Sequence, residues 1–360
     1  MRKPSDVLRG GPSDVLRDGP SDVLRGGSTR AALALALVLA LALVLGLAGG
    51  GAARAAELSL SHQWGTGDVR HQVAQALADE LADAEVGLDL RIHPAASLLP
   101  PEKQYEALRG GTLDLAVMPL AYAADRHPAF GLTILPGLVR NHDHADRLAR
   151  SDFMRAIEAQ LAEDGIAVLV HGFLAHGVAS RGECVTDPGD ARGLKVRAAA
   201  GGVLADTLAA AGAEVVALGA GELYDALREG TIDAASSTTA TLAAARLHEQ
   251  VGCYTPPGDT APSVVYQPVL VRRAVLEALS SAQRGVLDAA RERAAALYRE
   301  ESERQDRLST EVFRRAGVPI REMLPDEFEA WRGLARQSAA RMLGARDADR
   351  DLLDLAFAVR

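Results

Sequence analysis

Asn141-His-Asp-His144 sets two imidazoles two residues apart, a spacing that raises the question of a metal. On a helix, positions i and i+2 point in different directions, and no third donor follows at a suitable place. The segment reads as a solvated helix start, so no metal is expected. Cys184 and Cys253 are the only cysteines. In an oxidising compartment such a pair can close as a disulfide; two separate buried thiols are the alternative. A disulfide would leave no obvious thiol nucleophile. Neither a Gly-x-Gly-x-x-Gly fingerprint nor a Walker loop occurs, which argues against a nucleotide site, and no cofactor is expected. The scattered histidines and acids form no recognisable catalytic motif, so the chain does not read as an enzyme.

The compartment is legible near the start. Ala31–Ala48 is all Ala, Leu and Val except Gly46, with Arg30 before it and Ala53-Arg-Ala55 after it. A charge, an apolar run and small residues at the cleavage positions describe a secretory signal cut after Ala55. A retained anchor is the alternative, because a run of this length can span a bilayer. Residues 1–30 repeat Pro-Ser-Asp-Val-Leu-Arg from Pro4, Pro12 and Pro20. Units so short and so rich in Gly and Pro cannot bury a core, so a disordered leader is expected there.

Some 300 residues remain after the signal, enough for a large core and two lobes. The whole chain carries a net charge of −9, and setting aside the Arg-containing leader makes the balance more acidic. With no Lys/Arg block, binding of nucleic acid is not expected.

Strands and helices alternate from Leu58 onward. Leu58–His62 has period two, whereas Val69, Val73, Leu77 and Leu81 recur on one helical face. Leu88–Ile92 alternates again, Glu102–Leu108 is helical, and Leu113–Met118 reads as a strand. Asp143–Asp164 reads as helix with a break near Ser151, followed by the buried strand Ile166–Val170. A second βαβα section runs through strand Leu194–Arg197, helix Val203–Ala211, strand Val215–Leu218, helix Glu222–Arg228 and strand Thr231–Ala234. Val264–Val271 is the last extended run, and Ala274–Leu308 and Pro325–Leu343 are helical. This order predicts an α/β fold with parallel sheets. The two sections echo each other. Tyr105-Glu-Ala-Leu-Arg-Gly-Gly-Thr-Leu-Asp114 nearly repeats as Tyr224-Asp-Ala-Leu-Arg-Glu-Gly-Thr-Ile-Asp233, each helix stopping at a glycine suited to a left-handed cap. Two similar lobes facing a cleft follow from the echo.

An ordered set of segments resembles one family. Asp190-Ala-Arg-Gly-Leu-Lys-Val-Arg197 is similar to the "DLKGLKIR" segment of the extracytoplasmic solute receptors of TRAP transporters, the DctP-like family. Leu208–Leu218, Glu222–Asp233, Gly110–Met118, Gln267–Arg273 and Leu279–Arg284 follow that family's pattern in order. The resemblance implies a two-lobed periplasmic solute-binding fold with a ligand cleft and a long C-terminal helix. Its implied task is to capture an organic acid and hand it to the small and large membrane subunits of an ion-coupled TRAP permease. Arg197 is implied as the carboxylate anchor, and a planar guanidinium fork suits that role. Two departures stand out. Ser237 occupies the place of the family's usual asparagine contact, and Leu174 the place of a second arginine. One recognised arginine favours a monocarboxylate over a dicarboxylate, unless His176 compensates.

Other candidate contacts follow from placement in such a fold. His62 and Trp64 lie just after the first strand, and Tyr122 follows the strand end at Met118-Pro119. Phe173 and His176 lie at the lobe crossover, and Ser237 and Thr238 end a second-lobe strand. The expected division is a leader over 1–30, a signal region over 31–55, a first lobe over 56–178 and a second over 179–265. Residues 266–360 would add a strand and helices bracing both lobes. The free receptor is expected to be a monomer, with pairing through the C-terminal helices as the alternative. A binding module serving a periplasmic sensor would have the same fold and pocket.

Overall fold

The computed structural model describes residues 56–198, 202–343 and 347–359, so the expected leader, signal run and cleavage point lie outside the described residues. Strand β1 (Ala56–Ser61) leads to helix α1 (Val69–Asp83), strand β2 (Leu88–His93), helix α2 (Gln104–Gly110) and strand β3 (Leu115–Val117). Val69, Val73, Leu77 and Leu81 of α1 are all buried, as their spacing predicts. The long helical segment does break at Ser151, whose side chain accepts the Met154 N–H. It thereby ends α3 (His142–Ala149) and starts α4 (Asp152–Glu163). Strand β4 (Ile166–Val170) closes this section.

The second section holds β5 (Phe173–Ser180), β6 (Lys195–Ala198), α5 (Val203–Ala210), β7 (Glu214–Ala217), α6 (Leu223–Glu229), β8 (Ala234–Thr238) and α7 (Thr239–Ala244). Strands β9 (Cys253–Thr255), β10 (Ser263–Tyr266) and β11 (Val269–Arg272) follow. They precede α8 (Arg273–Ala278), α9 (Ser281–Arg315), α10 (Pro325–Leu343) and α11 (Asp347–Ala358). Among the described residues no helix is long and apolar enough to cross a membrane.

The first sheet has the order β2-β1-β3-β11-β4 and the second β10-β5-β8-β6-β7, with β9 also pairing β5. Strands β1, β2 and β3 run parallel, as do β6, β7 and β8. One expected strand is in fact two. Val264–Val271 divides at Gln267-Pro268, placing β10 in the second sheet and β11 in the first. Proline supplies no N–H to a ladder and favours such a break. The strand expected at Thr231–Ala234 begins only at Ala234, because the N–H groups of Thr231 and Ile232 are bound to the Ala226 carbonyl. All of β5 belongs to the second sheet, so a first lobe drawn as 56–178 ends inside that strand. The sheets separate at His171-Gly172.

Each sheet is covered on both faces. Leu60, Val73, Leu77, Val271, Leu287 and Tyr298 form one core against the first sheet, with Phe130, Phe153, Ile157 and Leu161 in the core opposite. Val196, Leu208, Phe328 and Trp331 cover one face of the second sheet, and Leu223, Leu227, Tyr254 and Phe313 the other. Helix α9 contributes Leu287 and Tyr298 to the first lobe and Phe313 to the second. Its 35 residues span about 50 Å, long enough to brace both. Cys184 and Cys253 are joined as a disulfide with Cα atoms 5.1 Å apart.

Candidate functional site

Parallel strands present their carboxyl ends, and the loops leaving them, to one side of a sheet, where open α/β proteins place ligands. Here β1 and β6 are the corresponding strands of the two lobes. The loops beyond them border a cavity of about 650 Å³. Gln63, Trp64, Glu102, Tyr122 and Asp125 line it from the first lobe, and Arg197, Gly219, Ala220 and Thr241 from the second. Three residues expected from the sequence, Arg197, Trp64 and Tyr122, meet in this cleft.

Arg197 is 4% exposed. Its Nε donates to the Leu218 carbonyl at 2.9 Å and its Nη1 to the Ser236 carbonyl at 3.3 Å. A guanidinium has five N–H groups, so three remain without an acceptor among the described residues. Burial lowers its pKa, while the nearby Tyr122 and Glu222 favour the charged form. The side chain is thus fixed by backbone and retains an open donor edge.

Trp64 is held from behind. The Arg70 guanidinium lies 3.8 Å from its ring centroid, and its N–H donates to His62 Nδ1 at 3.3 Å. His62 itself is fully buried, with Nε2 3.1 Å from His71 Nδ1. Burial, reinforced by the charge of His71, lowers its pKa to about 4. The neutral ring supports the Trp64 loop and does not line the cleft. Tyr122 lies in the 3-10 turn Leu120–Ala123, half-buried on the cleft wall.

The remaining expected residues lie elsewhere. Phe173 packs in the core, 4.8 Å from the Tyr266 ring centroid, and borders a separate cavity of about 220 Å³. His176 is buried with Nδ1 3.4 Å from Ser236 Oγ. Burial, then the charges of Arg197 and Arg70, lowers its pKa to about 3. A neutral imidazole cannot replace a second arginine as a cation. Ser237 is buried opposite Gly177 and does not line the cleft. Thr238 caps α7, its Oγ1 accepting the Thr241 N–H at 3.4 Å and lying 2.7 Å from Thr241 Oγ1. Thr241, one helical turn on, is the second-lobe hydroxyl residue that reaches the cavity wall.

Sequence reasoning missed Arg70, Glu102, Asp125 and Thr241. Arg70, near the start of α1, reads as an ordinary surface arginine, and only long-range packing reveals its burial. Thr241 was the more accessible inference, because a capping threonine at 238 predicts a helix that carries position 241 back toward the cap. His142 and His144 have other occupations. His142 Nε2 is 2.7 Å from Asp306 Oδ2, and His144 lies between the Arg140 N–H and the Val359 carbonyl. Among the described residues no group of His, Cys, Asp and Glu is placed to hold a metal.

The chain matches the model of bacterial extracellular solute-binding protein family 7, DctP, over residues 60–344. A solute-binding protein of Albidiferax ferrireducens is 29% identical over 307 residues, covering 82% of this chain and 89% of that protein. Among solved structures, a TRAP periplasmic solute-binding protein from Rhodoferax ferrireducens with bound malonate is 28% identical. It superposes with a TM-score of 0.77 over 84% of this chain and 98% of that one. A TRAP periplasmic solute-binding protein from Chromohalobacter salexigens with bound D-glucuronate shares the fold, with a TM-score of 0.75 at 21% identity. That match covers 84% of this chain and all of the other. With its paired α/β lobes, bracing helix and buried arginine at the cleft, the chain belongs to family 7 of the bacterial extracellular solute-binding proteins, the periplasmic solute receptors of TRAP transporters.

Proposed function

We propose that the cleft captures an organic acid bearing one carboxylate and that the loaded receptor delivers it to the two membrane subunits of a TRAP permease. The observation that carries the ligand class is charge. Arg197 is the one cationic side chain among the described residues lining the cavity, whereas the solvent-exposed Glu102 and Asp125 line it from the other lobe. A carboxylate meeting the open edge of Arg197 forms charge-assisted hydrogen bonds in a weakly screened site. A dicarboxylate, such as the malonate in the Rhodoferax structure, would carry its second charge into a cleft that already holds two acids. Glu102 and Asp125 instead suit the hydroxyl or other donor groups of a monocarboxylate. Ligand contact with both lobes would favour the closed population.

Capture without turnover belongs to the same proposal. Tyr122 and Thr241 supply the cleft hydroxyls, and neither is paired with an imidazole or carboxylate among the described residues. We further propose export with cleavage after Ala55, and a monomeric free receptor.

The test uses protein from Ala56 onward, refolded free of carried ligand and titrated calorimetrically with monocarboxylates, dicarboxylates and neutral analogues. Saturable binding confined to monocarboxylates is expected, weakened at least ~30-fold in Arg197→Ala, the effect of leaving a buried charge pair half-made. Retained affinity in that variant would remove Arg197 as the anchor. Tight dicarboxylate binding would overturn the charge argument, and consumption of a ligand followed by NMR would overturn the assignment as a receptor.

A further inference from the structure

Two short segments carry the chain between the sheets, His171-Gly172 from β4 to β5 and Gln267-Pro268 from β10 to β11. They are tied together. The Gln267 N–H donates to the Gly172 carbonyl at 2.8 Å, and Tyr298 Oη of the bracing helix donates to the Gln267 carbonyl at 2.9 Å. The fit is close, since a methyl group on Gly172 would stand 2.0 Å from Tyr298 Cε1. A change in the angle between the lobes must be accommodated at this knot and along the bracing helix that is bonded to it.

The Gln267 side chain reaches from the knot to helix α1. Its Oε1 accepts a hydrogen bond from Arg70 Nη1 at 2.8 Å, with Gln267 3% and Arg70 1% exposed. Arg70 also donates through Nε and Nη2 to the two carboxylate oxygens of Asp68, the cap of α1. The Cζ atom of the same guanidinium lies over the Trp64 ring, 3.8 Å from its centroid. One side chain therefore touches the crossover, the first helix and an aromatic wall of the binding cleft. Only a planar fork can make these three engagements together, because an ammonium offers neither the parallel donors nor the flat face.

We propose that Arg70 is a positioning residue that couples Trp64 to the lobe crossover. The Arg70–Gln267 hydrogen bond transmits the setting of the crossover to the indole, and displacement of the indole is felt at the crossover. Such coupling is reciprocal by thermodynamic necessity. The rival account gives Arg70 only the task of neutralising Asp68, in which case the bond to Gln267 has no consequence for Trp64.

Ligand-free protein distinguishes the two, independently of what the cleft binds. The chain contains only two tryptophans, Trp64 and Trp331. In protein labelled with 5-fluorotryptophan, Trp331→Phe assigns the two fluorine resonances. Gln267→Leu leaves the Arg70–Asp68 pair and the Trp64 contact in place and removes only the link between crossover and guanidinium. Coupling predicts a shifted or broadened Trp64 resonance in Gln267→Leu, with at least a two-fold rise in acrylamide quenching of Trp64. Conversely, Trp64→Leu, which leaves Gly172, Gln267 and Tyr298 unaltered, should speed hydrogen exchange at the Gln267 amide about tenfold. Arg70→Lys keeps the charge and should reproduce both effects, so the outcome does not depend on a variant that leaves Asp68 without its cation. An unchanged Trp64 signal in Gln267→Leu together with an unchanged Gln267 amide in Trp64→Leu would overturn the coupling, as would full function of Arg70→Lys in both readouts.

Discussion

Asp114 and Asp233 make the same bond at equivalent points of the two lobes. The first carboxylate accepts the Ser59 backbone N–H at 3.0 Å, and the second accepts the Lys195 backbone N–H at 2.9 Å. Each fastens the strand it enters to the neighbouring parallel strand, two residues before Ser61 or Arg197. The turns leading to them also agree. Gly111 and Gly230 have φ of +78° and +74°, and the Thr112 and Thr231 hydroxyls donate to the Ala107 and Ala226 carbonyls. The repeated sequence is thus a repeated hydrogen-bond network, and Arg197 occupies in the second lobe the place that Ser61 occupies in the first.

The two aspartates should nevertheless differ in value to the fold. Burial opposes the Asp114 charge, yet Arg272 and Ser59 hold its carboxyl below the ordinary range, Arg272 Nη2 donating at 2.6 Å. Asp114→Asn should cost about 2 kcal/mol, as for a hydrogen bond to a charged group, and Asp233→Asn about 1 kcal/mol. Urea denaturation midpoints of the two variants check the order.

Stability should fall as pH drops from about 6.5 toward 4. Burial lowers the pKa values of His62 and His144 to about 4 and of His176 to about 3. The unfolded chain takes up protons at these positions below its ordinary histidine pKa, while the folded chain refuses them. Unfolding therefore binds protons in this window, and stability rises with pH across it, by up to about 1.4 kcal/mol per pH unit for each histidine. Melting temperature measured against pH should show this slope, and His176→Gln should reduce it. An unchanged slope in that variant would mean that His176 accepts a proton in the folded state.

The Cys184–Cys253 disulfide closes a loop with a sequence separation of 69. In the chain-entropy account a loop of this size is worth about 4 kcal/mol. Cys253→Ser should lower stability by an amount of that order, and dithiothreitol should lower the melting temperature of the wild type but not of the variant.

Two glycine-to-alanine substitutions should have opposite signs. Gly285 lies exposed within α9 with open space where a methyl group would be built, so Gly285→Ala should stabilise by about 0.5–1 kcal/mol. Gly172→Ala must displace the Tyr298 ring or the Gln267 carbonyl and should cost 3 kcal/mol or so. Chemical denaturation of both variants tests the pair.

Much of this fold was legible because local signals and tertiary packing agree. The period of α1, the break at Ser151 and the echo around Asp114 and Asp233 all depend on short-range rules. The split between β10 and β11 was not legible, since two adjacent apolar strands in different sheets have the pattern of one. Within the site, Arg197 was accessible through its place in a family-like segment. Ser237 and Thr238 do end a second-lobe strand, but the pleat buries the first and helix capping engages the second. Arg70 carries no local mark at all, because its burial depends on Gln267, nearly two hundred positions away.

The position of β11 bears on how the protein comes into being. This strand lies between β3 and β4, yet every strand of the second sheet precedes it in the chain. A growing chain that has emitted all of β4 still has two unpaired strand edges, and they wait for about a hundred further residues. Neither lobe can be released as an autonomous fragment by a single cut. For a periplasmic receptor the delay has a use and a hazard. It postpones native closure until most of the polypeptide has been synthesised, which would suit the export proposed above. It also leaves β-strand edges open to foreign pairing during that interval.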